Sequence, residues 1–390
     1  MLPAHPPQHA APDSQAPSSA RLAGLDVLRA LAILLVILHH YRWLPGCPTW
    51  LRWFALRGSV GVDVFFVLSG WLVGGQLLRS VRRSGAVPWT SFWLRRWLRT
   101  LPPYYVCLLG LCLLGEVPTT HLPALGLFLQ NYLAPSDWLI SWSLCVEEHF
   151  YLLLPVVVFL LVKLGRWRRE AVFVLVGALF LLSPVMRAWA QPEMAKGSYN
   201  AFLGSFYVPT HLRLEGLVLG VALAAAHEWR VAAWRWLEQR AGLCAAVGAT
   251  MAVLATWNPW VTGWTADGRE RMAFFASVPA FTLVSLGVAL MIPWCLTVGR
   301  TARLVWATFL AEHAYTLYLT HETVGDLVRR ELRGHGLGFG VLLVVAVLGS
   351  LGVSVALRRL VEEPVLRLRD RWLRARARPD HDVTGTSAAA

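Results

Sequence analysis

A guanidinium and two imidazoles stand inside a run of residues that is otherwise almost wholly apolar. Residues 25–44 read LDVLRALAILLVILHHYRWL, with Asp26 and Arg29 near one end and His39 and His40 near the other. About 20 such residues cross a bilayer, and a charge within them is costly unless it faces a protein interior or a wet cavity. At roughly 100° per residue, Arg29 and His40 fall on one face of a helix, about 16 Å apart along its axis. His39 points about 100° away. One wall thus offers a fixed cation at one depth and a possible base at another, the outline of a reaction site built into a membrane.

Further polar residues in apolar surroundings extend the set. In TSFWLRRWLRTLPPYYV, Arg95, Arg96 and Arg99 put three cations on about one and a half helical turns, with Trp93 and Trp97 among them. Such a helix either grips lipid headgroups or clamps phosphate, whose oxygens match the guanidinium fork. In SDWLISWSLCVEEHFYLLLP, Glu147 and Glu148 precede His149, and Glu147 meets Tyr151 at i, i+4. A carboxylate there must be paired, as a structural ion pair or as the partner of a histidine or arginine. Asp63, in GSVGVDVFFVLSGWLVGG, and Arg213 with Glu215, in THLRLEGLVLG, read as helix-to-helix partners. The glycines near Asp63 permit close helix approach. His321 closes HAYTLYLTH as an interface residue. No HExxH or CxxC spacing supports a metal, and the cysteines read as small buried hydrophobes, except Cys145, which lies beside Glu147 and Glu148 and is a candidate nucleophile.

The elements that must position these groups follow from composition. Of 390 residues, 56% are hydrophobic and 15% charged, which excludes an ordinary soluble protein. The expected fold is an all-α polytopic membrane protein of about ten transmembrane helices, near 25–44, 58–78, 100–115, 138–162, 171–190, 207–227, 241–257, 273–295, 304–322 and 337–358. Residues 119–133 read as a re-entrant or interfacial piece. With both termini cytoplasmic, the inner segments hold more than twice the Arg and Lys of the outer ones. The net charge of +13 therefore reads as topology and not as nucleic-acid binding. Residues 1–20, rich in Pro, Ala, Gln and Ser, read as a disordered tail. The membrane unit is 21–365, and 366–390 is basic, lying against lipid headgroups, then disordered. Oligomeric state is silent.

Taken together, these blocks resemble the acyltransferase-3 family of integral-membrane O-acyltransferases. The carriers are Asp26, Arg29 and His40 in the Arg-x10-His pattern, GVDVFFVLSG, Arg95-Arg96-x-x-Arg99, WSLCVEEHFYLLLP with Glu147 and Tyr151, Arg213, and YTLYLTH with Glu363-Pro364. The likeness spans about residues 22–365. Two positions depart from it: Ala314 stands where many relatives carry serine, and Glu322 follows His321 where other residues are common. The resemblance implies transfer of an acyl group, normally acetyl, from acyl-CoA to a hydroxyl of a carbohydrate or glycosylated acceptor. Arg95, Arg96 and Arg99, helped by Arg29, would hold the donor phosphates. His40 would be the general base, oriented by Glu147. Asp26, Asp63, Tyr151, Arg213 and His321 would support substrate or structure. A bacterial inner membrane is the expected location. The competing expectation is a transporter or flippase of a glycan- or lipid-linked substrate, in which intramembrane charges form a path and nothing reacts.

Overall fold

The computed structural model of the protein describes residues 23–134, 137–194, 203–257, 274–298 and 304–376, and among them every regular element is helical. The expected tail 1–20 and the end of the chain beyond Arg376 lie outside the described residues.

In chain order the helices are α1 Ala23–Tyr41, α2 Thr49–Ala55, α3 Val60–Ser69, α4 Gly75–Ser84, α5 Trp89–Leu113, α6 Leu122–Gly126, α7 Gln130–Leu133 and α8 Ser141–Lys163. They continue as α9 Arg169–Met194, α10 Glu215–Trp229, α11 Val231–Gln239, α12 Ala241–Trp257, α13 Phe274–Val298, α14 Val305–Glu331, α15 Phe339–Leu357 and α16 Glu363–Arg376. All ten expected segments overlap helices, but among the described residues six helices meet the length and apolarity of a membrane span, or seven if α10 and α11, bent by 107° at Arg230, form one span. The protein is therefore a membrane protein. The remaining expected segments fall short for physical reasons. α5 carries the arginine turn, α14 carries histidines and carboxylates, and α12 is 17 residues long. The basic and apolar halves of α5 form one helix, with Pro102 and Pro103 inside it. Residues 119–133 fold into short helices, and Asn131 Nδ2 ties them to α8 by donating to the Trp142 carbonyl at 3.0 Å.

α1 is the hub. Leu25, Leu28, Ala32 and Val36 form a buried stripe at helical spacing, and the helix packs on α3, α13 and α14. α3 runs through a π-helical turn at Gly70–Gly74 into α4. Close approach fixes this crossing. A Cβ on Gly70 would stand 1.9 Å from the Leu217 carbonyl oxygen, and one on Gly220 would stand 2.2 Å from that of Val67. Glycine here lets two backbones touch without lipid or side chains between them.

Four charges then lock the same region. Arg213 Nη2 meets Asp63 Oδ1 at 2.9 Å, and Arg187 Nη1 meets Glu215 Oε1 at 2.6 Å, with all four residues buried. Arg213 is also wrapped by aromatic rings, its guanidinium 3.8 Å from the Phe281 centroid and 4.8 Å from that of Tyr207. The helix-to-helix role expected of Asp63 and Arg213 is what the geometry shows. Glu215 takes a different partner from the one sequence proximity suggests, because Arg187 of α9 reaches it.

Removing one member of a buried pair leaves an uncompensated charge, which costs about 3–5 kcal/mol. Arg213→Ala should sharply lower the yield and thermal stability of detergent-purified protein. Adding Asp63→Asn to it should recover part of the loss, as read by thermal unfolding of both variants.

Candidate active site

α14 lies along α1, and their contact brings two histidines together. His321 Nε2 stands 3.0 Å from His40 Nδ1. The backbone settles which nitrogens carry protons. His40 Nδ1 is 3.0 Å from the Val36 carbonyl, and His321 Nδ1 is 3.0 Å from that of Leu317 and 2.9 Å from that of Tyr318. A carbonyl oxygen only accepts, so both Nδ1 atoms donate. In the neutral rings both Nε2 atoms then carry lone pairs. His321 Nε2 accepts from the His40 Nδ1–H, and His40 Nε2 is left as a base. It faces Glu322 Oε1 at 3.9 Å, too far for a direct hydrogen bond.

That nitrogen borders a cavity of about 130 Å³, whose lining includes His39, His40, Trp43, Glu322, Asp326 and Arg329. His39 has a different task from its neighbour. Its Nδ1 donates to the carbonyls of Ala55 at 3.2 Å and Leu56 at 3.0 Å, capping the end of α2. His321 is fully buried, and the Tyr41 hydroxyl at its back reaches the His321 carbonyl at 3.2 Å and Ser350 Oγ at 2.5 Å.

The other end of α1 carries the cations. Arg29 Nη1 is 3.4 Å from Asp26 Oδ1 and lies within electrostatic reach of Arg96 and Arg99. The arginine turn of α5 therefore does gather around Arg29. Arg96 stacks over the Tyr151 ring at 4.8 Å, and Trp93 stacks on Trp97 with ring planes 4° apart. The Arg95 carbonyl accepts from Arg369 Nη1 of α16 at 3.1 Å. Arg99 has Arg96, Tyr151, Arg358 and Glu362 around it, yet its own surface is exposed.

Glu147 belongs to this second region. Its two oxygens accept from Ser69 Oγ at 2.7 Å and from Tyr151 OH at 3.1 Å, with Arg96 and Arg99 nearby. Glu148 beside it accepts from Thr100 Oγ1 at 2.8 Å. The expectation that Glu147 orients His40 therefore meets a different arrangement: among the described residues the carboxylate facing that imidazole is Glu322. In sequence Glu322 stands out as a departure from the family pattern with a bearing on substrate choice. The available signal was its place beside His321, but its role depends on how α14 packs against α1. The two regions adjoin at Tyr318, which lies within electrostatic reach of both Glu147 and Glu322 and whose hydroxyl donates to the Ile140 carbonyl at 2.9 Å. Cys145 is fully buried, its thiol turned to the Phe128 carbonyl at 2.8 Å. Among the described residues no group of three or more His, Cys, Asp or Glu could hold a metal ion.

Comparison with known families bears on this geometry. The model of a family described as an acyltransferase domain, acyltransferase-3, matches residues 22–359. The chain belongs to the acyltransferase-3 family. The peptidoglycan O-acetyltransferase OatA of Listeria monocytogenes is 30% identical over 225 residues, covering 51% of this chain and 33% of that protein. The O-acetyltransferase OatA of Staphylococcus aureus is 28% identical over 229 residues, covering 52% of this chain and 34% of that protein. The match thus spans about a third of the length of these relatives. No solved structure matches the chain. In this acyltransferase-3 member, Arg29 and His40 lie toward opposite ends of α1.

Tyr151→Phe removes one donor from the Glu147 carboxylate, a bond of about 1.5–3 kcal/mol. It should lower thermal stability, and the double change Tyr151→Phe with Glu147→Gln should lower it by less than the sum of the single effects. A double-mutant cycle reads this coupling, expected at about 0.5 kcal/mol or more.

Proposed function

We propose that the protein is a membrane-embedded O-acyltransferase that moves an acetyl group from acetyl-CoA to a hydroxyl of a carbohydrate or glycosylated acceptor, with His40 as general base. The observation that carries the reading is the lone pair of His40 Nε2, held by the Val36 carbonyl and His321 and turned into the cavity. Family membership and two relatives named as O-acetyltransferases support the reaction class.

The donor's phosphates dock on Arg95, Arg96, Arg99 and Arg29, where guanidinium forks match phosphate oxygens. Glu147, fixed by Ser69 and Tyr151, limits the repulsion among these cations and so acts at the donor end. The thiol arm extends along α1, over the roughly 16 Å that eleven residues of helix span. At the other end the acceptor hydroxyl gives its proton to His40 Nε2 while its oxygen bonds to the acyl carbon. The bond between that carbon and the donor sulfur breaks, and the departing thiolate takes the proton from the imidazolium. Glu322 stabilises the transient positive charge on the ring, as an acid beside a catalytic histidine does. Transfer is direct, with His40 taking a proton and not the acyl group; Cys145 is buried and its thiol is engaged. The donor enters from the cytoplasmic face of a bacterial plasma membrane, and the acceptor is reached from the opposite face.

With purified protein in lipid nanodiscs and labelled acetyl-CoA, His40→Ala should cut kcat by about 10²-fold or more while the KM for acetyl-CoA changes little. Arg96→Ala and Arg99→Ala should instead raise that KM. A folded His40→Ala protein that transfers acetyl at the normal rate contradicts the reading.

A further inference from the structure

The cavity at His40 holds a second acceptor of protons that a lone hydroxyl cannot satisfy. His40 Nε2 and Glu322 Oε1 stand 3.9 Å apart, both partly exposed to the same space. The first is a lone pair by the tautomer argument, and the second is a carboxylate oxygen. Each accepts a hydrogen bond at an ordinary length of about 2.7–2.9 Å. One alcohol has one proton, so a single hydroxyl bound to His40 makes no bond to Glu322. Two hydroxyls on adjacent carbons have oxygens closer together than that gap, and each can donate to one acceptor.

The rest of the wall fits a ring bearing such hydroxyls. Glu322, Asp326 and Arg329 follow one another at i, i+4 and i+7 along α14 and line the cavity as one stripe. Arg329 Nη2 holds Asp326 Oδ1 at 2.9 Å, which leaves donors and acceptors side by side at the rim. Trp43 lines the cavity and is half exposed, offering a flat apolar face. A cavity of about 130 Å³ is close to the roughly 150 Å³ that accommodates a benzene ring, so it has space for a single ring.

We infer that the acceptor site takes a vicinal diol of a sugar ring, one hydroxyl donating to His40 Nε2 and its neighbour to Glu322, so that Glu322 is a specificity-determining residue. The inference rests on the reading of His40 as base. An alcohol without an adjacent hydroxyl forgoes the bond to Glu322, and sites built to bind a hydroxyl reject analogues lacking it strongly.

The experiment measures acetyl transfer by the full chain in nanodiscs, from acetyl-CoA to paired probes: a vicinal cyclohexanediol against cyclohexanol, and a methyl hexoside against its monodeoxy analogues. The expected result is a preference for the diol of at least about tenfold. That preference should fall to within about threefold in Glu322→Ala and be partly retained in Glu322→Gln, whose amide oxygen still accepts. Equal transfer to diol and mono-alcohol, or an undiminished preference in a folded Glu322→Ala protein, overturns the diol assignment and leaves the O-acyltransferase reading standing. Transfer to neither kind of alcohol, with thermal unfolding showing an intact protein, overturns both.

Discussion

The site depends on backbone carbonyls inside two helices deciding where the protons on two imidazoles sit. Val36 in α1, and Leu317 and Tyr318 in α14, offer carbonyl oxygens that can only accept. Each ring must therefore point its Nδ1–H at its own helix. His321 then becomes an acceptor for His40, and the remaining nitrogen of His40 keeps its lone pair. A histidine free to rotate or to switch tautomer would present that lone pair only part of the time. Here the helix that carries His40 also fixes the form of its ring, and the neighbouring helix holds it from behind.

The same economy governs the charges. In a low-dielectric interior an unpaired charge is expensive, and the protein separates its ionic groups by purpose. Asp63, Arg213, Glu215 and Arg187 close on one another in a buried, aromatic-walled cluster that joins α3, α9 and α10. The arginine turn on α5 is different. Arg96 and Arg99 have Glu147, Tyr151 and Glu362 near them, and Arg99 keeps exposed surface. Cations gather at the N-terminal end of α1, the imidazoles at its C-terminal end, and Tyr318 lies between the two regions.

Much of this was legible in the chain. The shared face of Arg29 and His40 follows from helical period alone, and so does the contact of Glu147 with Tyr151. A charge in an apolar run demands a partner, which is why Asp63 and Arg213 could be read as a tie between helices. What was not legible depends on which helices meet. Glu322 sits next to His321 in sequence, but nothing local says that α14 lies against α1 with the His40 ring between these two residues, one at each nitrogen. The expected pairing of Glu147 with His40 went astray for the same reason, since Ser69 and Tyr151 already take both its oxygens. The span count is also hard to read, because α5 and α14 carry the site's own polar residues and so lose the apolar character by which spans are recognised.

The protonation pattern of His40 is the point on which the account turns, and magic-angle-spinning NMR of histidine-¹⁵N-labelled protein in lipid measures it directly. Assigned by difference against His40→Ala, the spectrum at neutral pH should show His40 with a protonated Nδ1 and a bare Nε2. His321→Ala should keep that tautomer, since the Val36 carbonyl still takes the Nδ1 proton, and shift the Nδ1 signal. A His40 ring protonated at Nε2 in the intact protein would contradict the account, because the cavity would then face a donor and not a base.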